Sequence, residues 1–147
     1  MQFRSLGFCC AIVIPVLMAG CATSAKKDAA DLEGRWRNVK ATIYFSDGVS
    51  STPTQTRCWI EFSKNQSVSE CITNSGTNRI VYAHRYVGPQ KYESQVVEHK
   101  SLPHLVGTRI RTDFRIANGT LFTASYPPAP PGASRFAVKV ESTWVRD

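Results

Sequence analysis

The chain has 147 residues, with 18 Lys and Arg against 11 Asp and Glu, and a formal net charge of +7 at pH 7. Its body, residues 32–147, is long enough for one domain and too short for two. The basic balance favours anionic neighbours such as phospholipid headgroups, lipopolysaccharide or acidic glycans, although a merely solvated basic surface gives the same composition.

The start of the chain has the pattern of a secretory signal. Arg4 gives it one positive charge, and residues 6–20 then run without any charged side chain. This run is shorter than the roughly 20 apolar residues that a membrane-spanning helix needs, and it contains Pro15. The sequence therefore predicts a signal peptide over residues 1–20.

The end of this run resembles the lipobox of bacterial lipoproteins. Residues 17–20, Leu-Met-Ala-Gly, place small side chains directly before Cys21. The resemblance implies cleavage before Cys21 and acylation of its thiol, including a palmitate; an ordinary secretory signal cut near Ala19 is the alternative. Ala22 stands where an Asp would imply retention in the inner membrane. The resemblance therefore implies a lipid anchor in the outer membrane, facing the periplasm.

The residues after Cys21 predict a tether. Residues 21–31 are mostly small and polar and show no periodicity. Ten stretched residues reach roughly 33–36 Å, so the domain is expected to work close to the membrane surface. We expect no nucleic-acid partner for a protein anchored in this place.

The body of the chain predicts an all-β domain. Short alternating runs separated by turn residues indicate eight strands, over residues 34–45, 54–63, 66–73, 79–87, 91–99, 108–116, 121–126 and 135–146. Asn118-Gly119 is a strong signal for a two-residue hairpin, because both central residues of such a turn need positive φ. Eight strands with short links favour an antiparallel up-and-down barrel. A β-sandwich is the alternative architecture.

Cysteine usage fits export and predicts one disulfide. Cys9 and Cys10 leave with the signal and Cys21 receives lipid, which leaves Cys58 and Cys71 as a pair in an oxidising compartment. A two-residue turn at residues 64–65 places Cys58 directly opposite Cys71. Such a non-hydrogen-bonded pair has Cα atoms about 4.5 Å apart, which a disulfide can bridge. The immunoglobulin type of sandwich joins strands further apart in sequence.

The first strand opens with Gly34-Arg35-Trp36, which resembles the Gly-x-Trp signature of lipocalins and related barrels. The resemblance implies a lipocalin-like barrel over residues 32–147. It also implies that Trp36 closes the barrel base and that a basic residue of a late strand, here Arg146, packs across its indole. A guanidinium over an indole contributes roughly 0.5–2 kcal/mol.

The sequence shows no catalytic constellation. No Gly-x-Ser-x-Gly pattern occurs. The three histidines, His84, His99 and His104, have no further ligand at a suitable spacing, and neither of the paired cysteines has a partner at zinc-site spacing. We therefore expect no enzymatic activity, no metal and no cofactor.

Two classes of function fit these features. The first is a membrane-anchored envelope lipoprotein whose barrel binds a small apolar molecule or lipid. The alternative is a periplasmic protein-binding module, such as a protease or lysozyme inhibitor, or an envelope assembly lipoprotein. Fold alone does not decide between them. The barrel interior does: a cavity favours a binder, and a filled interior favours a module that works through its surface.

Overall fold

The computed structural model of the protein describes residues 30–53 and 57–147. The predicted signal peptide, Cys21 and the tether up to residue 29 lie outside the described residues. Within the described ranges, no helix has the length and apolar character needed to cross a membrane.

The described part of the chain is built almost entirely from antiparallel strands. They are β1 (Gly34–Phe45), β2 (Ser50–Ser51), β3 (Arg57–Phe62), β4 (Gln66–Thr73), β5 (Gly76–Gly88), β6 (Lys91–His99), β7 (Arg109–Ala117), β8 (Thr120–Tyr126) and β9 (Ala137–Arg146). A 3-10 helix, Pro103–Leu105, lies between β6 and β7.

The strands form a closed barrel. Each strand from β3 to β8 pairs with the one that follows it in the chain. Strand β1 pairs with β3 on one side and with β9 on the other. The closing register places Trp36 opposite Arg146 and Ile43 opposite Val140. Eight strands therefore close on themselves, and β2 is an addition to the edge of β1. The predicted up-and-down barrel is confirmed, and the sandwich alternative is not adopted.

Some strand boundaries differ from the prediction. The sequence analysis missed β2, because two residues are too few to show an alternating pattern. The fourth predicted strand begins at Gly76 and not at residue 79, because Thr73 already pairs with Gly76 across a two-residue turn. The last strand begins at Ala137 and not at residue 135, because its pairing with β1 starts at the Phe45–Ala137 pair. The predicted start of the second strand, residues 54–56, lies outside the described residues.

Two tight turns follow the sequence closely. Asn118 and Gly119 have φ values of 50° and 71°, as a two-residue hairpin requires. At the turn of residues 64–65, the amide of Ser63 donates to the carbonyl of Gln66 at 2.8 Å. Each of these turns fixes the register of the two strands that flank it.

The register of β3 and β4 confirms the predicted disulfide. Cys58 lies directly opposite Cys71, their Cα atoms are 4.1 Å apart, and their sulfur atoms are bonded. The same register places Ile60 opposite Ser69 and Phe62 opposite Ser67. Half of this inner face is therefore polar.

The two ends of the barrel differ. Short turns at residues 63–65, 89–90 and 118–119 lie at one end, which we call the closed end. The longer connections 100–108 and 127–136 lie at the opposite end, which we call the mouth. The core is concentrated toward the closed end, where Leu32, Trp36 and Leu121 are fully buried.

Strand β7 shows how alternation divides the two faces. Thr112 and Phe114 are buried, whereas Arg109, Arg111 and Arg115 are exposed. Alternation along this strand therefore turns one set of side chains inward and these three arginines outward. The arginine stripe lies on the outer surface of the barrel.

Candidate ligand-binding cavity

The barrel is hollow above its closed end. Inward-facing residues from β1 and from β3 to β9 enclose a cavity of about 310 Å³. Its lining reaches from Phe62 and Leu121 at the closed end to Pro127 in a mouth loop. This volume lies at the lower end of the range for ligand pockets.

The lining is part apolar and part hydroxyl-bearing. Aromatic side chains of Phe62, Tyr92 and Trp144 contribute to it, with Ile60 and Ile110 on the walls. The hydroxyl-bearing residues of the lining are Ser67, Ser69, Tyr82, Tyr92, Ser94, Thr112, Thr123, Ser125 and Ser142. The cavity therefore combines an apolar surface with many short hydrogen-bonding groups.

The hydroxyls of β7 and β8 are already paired. Thr112 Oγ1 lies 3.0 Å from Ser125 Oγ, and Trp144 Nε1–H donates to Thr123 Oγ1 at 3.1 Å. These bonds cross neighbouring strands and satisfy polar atoms on this side of the barrel. A ligand therefore meets this side mainly as packed surface.

The disulfide forms part of the cavity wall. Cys58 and Cys71 both face inward, on the mouth side of Ile60 and Ser69. A cross-link between facing residues fixes the relative position of β3 and β4 at this level. Its structural role is thus to hold one wall of the cavity.

Ionisable side chains in the lining are neutral. Among the residues that the structure describes, no Lys, Arg, Asp or Glu lines the cavity. Burial raises the pKa of Tyr82 to about 12, and burial likewise raises the pKa of Tyr92 well above its usual value. Both phenols therefore carry their protons at physiological pH and add hydrogen-bonding capacity without charge.

A plug of side chains seals the closed end. Trp36 is fully buried, and its Nε1–H donates to the carbonyl of Leu32 at 2.8 Å. The guanidinium of Arg146 lies 4.5 Å from the centre of the Trp36 ring and donates to the carbonyls of Asp31 and Glu33 at 2.7 and 3.0 Å. This is the arrangement that the Gly-x-Trp resemblance implies, and it holds residues 31–33 across the barrel base.

Gly34 is required in this plug. Its φ is +114°, and a Cβ atom there would lie 2.9 Å from Nη1 of Arg146. Only glycine adopts this conformation readily and leaves room for the guanidinium. The first residue of the Gly-x-Trp signature thus leaves room for the side chain of Arg146.

His84 lies among aromatic rings near the floor of the cavity. It is 7% exposed, and its ring centre lies 5.8–5.9 Å from those of Phe62, Tyr86 and Tyr92. Neither ring nitrogen has a hydrogen-bond partner among the described residues. Burial lowers the pKa of His84, because the charged form is unfavourable here.

This setting makes stability sensitive to acid. Below pH about 6.5, His84 binds a proton more readily in the unfolded chain than in the folded chain. The free energy of unfolding is therefore retained above this pH and falls as the pH drops below it. His84→Phe removes this proton uptake and two unsatisfied nitrogen atoms. We expect its free energy of unfolding at pH 7 to rise by about 1–3 kcal/mol, with a smaller loss between pH 7 and pH 5.

Urea unfolding at both pH values measures this effect. His104→Phe, at an exposed position, is the matched control and should behave as wild type. His99 remains in both variants, and burial lowers its pKa too, so some acid sensitivity should persist. A His84→Phe protein less stable than wild type at pH 5 would contradict this account.

The structure does not gather the histidines into a site. His84 belongs to the aromatic cluster, whereas the ring of His99 accepts a hydrogen bond from the amide of Leu102 at 3.1 Å, and His104 is exposed. Within residues 30–53 and 57–147, no group of three His, Cys, Asp or Glu side chains is placed to hold a metal ion.

Barrel, plug and cavity together define a lipocalin-like barrel fold. Among solved structures, the chain is similar to a lipocalin-like protein from Bacteroides uniformis ATCC 8492, with a TM-score of 0.51 and 15% sequence identity. The match covers 80% of this chain and 99% of that one. At this identity, the similarity establishes the fold. No protein-family model and no curated protein matches the sequence.

The sequence analysis missed the polar character of the interior. It expected an apolar ligand because lipocalin resemblance implies one, although serines alternate with apolar residues at positions 67 and 69. Once the turn at residues 64–65 is placed, these serines fall on the inner face with Phe62. The signal was present in the register, but composition alone gives no sign of which face is inside.

Proposed function

We propose that this protein is a membrane-anchored envelope lipoprotein whose barrel binds a small molecule, or the end of a single lipid chain. The observation that carries the proposal is the cavity of about 310 Å³ between the aromatic floor and the mouth. A protein-binding module that acts through its surface needs no such space.

The position of the anchor also bears on the ligand. Leu32 packs at the closed end, so a chain that starts at an acylated Cys21 reaches the domain from that end. The ten residues between them span at most about 33–36 Å. Such an anchor leaves the mouth facing away from its attachment point. This favours a ligand taken from the periplasmic space over one drawn from the anchoring membrane.

Cell fractionation tests the anchor. We expect Cys21→Ala to move the protein from the membrane fraction to the soluble periplasmic fraction, because the only proposed acyl attachment is lost. Cys10→Ala removes a thiol within the predicted signal and is the matched control, which should stay with the membrane. A Cys21→Ala protein that remains in the membrane fraction contradicts the anchor.

Blocking the cavity tests ligand binding. Ser69 faces the cavity and Val68 faces outward on the same strand, so Ser69→Phe fills the cavity and Val68→Phe does not. We expect native mass spectrometry of the purified protein to show a co-purifying small molecule in wild type and Val68→Phe. Ser69→Phe should lose at least nine-tenths of it. Equal retention by both variants would contradict binding inside the barrel.

A further inference from the structure

One wall of the cavity carries hydroxyls without partners. Ser67 and Ser69 on β4, Tyr82 on β5 and Ser94 on β6 all line the cavity, and no hydrogen bond joins these hydroxyls to other described residues. Ser67 is only 2% exposed and Ser94 only 6%. These hydroxyl oxygens open onto the cavity, so this wall favours a ligand that supplies hydrogen-bond partners for them.

On the opposite side of the cavity most hydroxyls are paired, and Ser142 on β9 is the one there that has no hydrogen-bond partner among the described residues. The hydroxyls of Thr112 and Ser125 bond to each other, and Thr123 accepts from Trp144. A ligand placed between the two sides is therefore hydrogen-bonded along one edge and packed against rings and paired hydroxyls along the other. A ligand that is only a hydrocarbon chain leaves the hydroxyls of β4, β5 and β6 without hydrogen-bond partners.

The charge of the lining limits the ligand further. No Lys or Arg of the described residues lines the cavity, so a carboxylate or phosphate would be buried without a counter-ion. No Asp or Glu of the described residues is there for a cation either. The part of the ligand inside the barrel is thus uncharged.

The spacing of the free hydroxyls indicates the shape of the ligand. The backbones of neighbouring strands lie about 4.8 Å apart, so those of β4 and β6 are roughly 10 Å apart across β5, and their inward-facing hydroxyls approach the cavity from two directions. A compact ring with polar atoms on two sides meets both sets of hydroxyls more readily than the single polar end of a chain does.

Resting on the proposed function, we infer that the cavity binds a compact, uncharged ring compound with two or more hydroxyl or carbonyl groups, held by Ser67, Ser69, Tyr82 and Ser94. Fatty acids and plain hydrocarbons are the weaker ligands. The four hydroxyls determine which ligand is preferred, and the aromatic floor contributes affinity without selecting among rings.

Three probes of matched size test this inference. They are 1,5-dihydroxynaphthalene, 1,5-dimethylnaphthalene and 1-naphthoate, which share a ring and differ in polar groups and charge. Binding to the purified protein is followed by the fluorescence of the naphthalene. We expect the diol to bind about tenfold more tightly than the dimethyl compound, although the diol is the better hydrated of the two in water. The naphthoate should bind most weakly.

Variants identify the residues responsible. The triple variant Ser67→Ala, Ser69→Ala, Ser94→Ala should lose the tenfold preference while it still binds the dimethyl compound, which also shows that it folds. Removing three exposed hydroxyls, by Ser50→Ala, Ser51→Ala and Ser101→Ala, should leave the preference unchanged.

The outcomes separate the two proposals. Should the dimethyl compound or the naphthoate bind as tightly as the diol, with Ser69→Phe blocking them, the ligand class is wrong and the binding function stands. Should none of the probes bind and no molecule co-purify, both proposals are overturned. If the triple serine variant still prefers the diol, the assignment of these serines to ligand selection is wrong.

Discussion

Replacing Trp36 by alanine should lower the free energy of unfolding by about 3–5 kcal/mol, the largest effect expected of any single substitution in this barrel. The side chain is fully buried and packs with Leu32, Phe62 and Leu121 at the closed end. Its loss leaves a cavity, an unpaired carbonyl on Leu32 and a guanidinium without its ring. Many domains of this size have a total stability not much larger than this loss.

Urea unfolding followed by far-ultraviolet circular dichroism measures the loss. Trp59→Ala is the matched control: its indole also lies near a guanidinium, that of Arg35 at 4.9 Å, but it is only partly buried on the outer surface. We expect the control to lose about 1 kcal/mol. If Trp59→Ala destabilises as much as Trp36→Ala, the plug is not the main support of the closed end.

A double-mutant cycle between Trp36 and Arg146 separates ring contact from packing. Trp36→Leu removes the ring but keeps a large apolar side chain, and Arg146→Met keeps much of the side-chain length without the charge. The coupling free energy should be roughly 0.5–2 kcal/mol in favour of the native pair. A coupling near zero would assign the stabilising effect of Arg146 to its hydrogen bonds with the carbonyls of Asp31 and Glu33.

The second large effect is expected from the disulfide. Cys58 and Cys71 are 13 residues apart in the sequence, and closing a loop of this length in the unfolded chain contributes about 3 kcal/mol or less by the chain-entropy account. The double variant Cys58→Ala, Cys71→Ala should therefore lose about 2–3 kcal/mol of stability. The barrel itself should still form, because the cross-link joins strands that are already neighbours.

Unfolding with and without reductant provides the control. Wild type with dithiothreitol should approach the stability of the double alanine variant, whereas the variant should not respond to dithiothreitol. Non-reducing peptide mapping checks the pairing. Two free thiols at these positions in protein from the periplasm, or a variant as stable as wild type, would contradict the predicted role.

Local patterns in the sequence were sufficient to predict features that depend on residues close together in the chain. Alternation located the strands, the turn at Asn118-Gly119 followed from the positive φ that both residues tolerate, and counting from residues 64–65 gave the disulfide. Each of these inferences uses neighbours within one hairpin, where the pairing is fixed by the turn itself.

The lipocalin resemblance extended this to one long-range contact. Trp36 and Arg146 lie 110 positions apart, and they meet because β9 closes the barrel against β1 in the register that sets them opposite each other. No periodicity links the two residues. The motif supplied their relation, and the geometry of Gly34 shows why a glycine precedes the tryptophan.

The sequence by itself determined the all-β class, the number of barrel strands, the register of the hairpin at residues 64–65 and the cysteine pair. Only the tertiary structure decided that the interior is hollow, that Ser67 and Ser94 are left without partners while Thr112 and Ser125 bond to each other, and that His84 is buried among rings. The physical reason is that strand pairing follows local order along the chain, whereas the volume and polarity of the interior depend on how side chains from eight separate strands meet across the barrel.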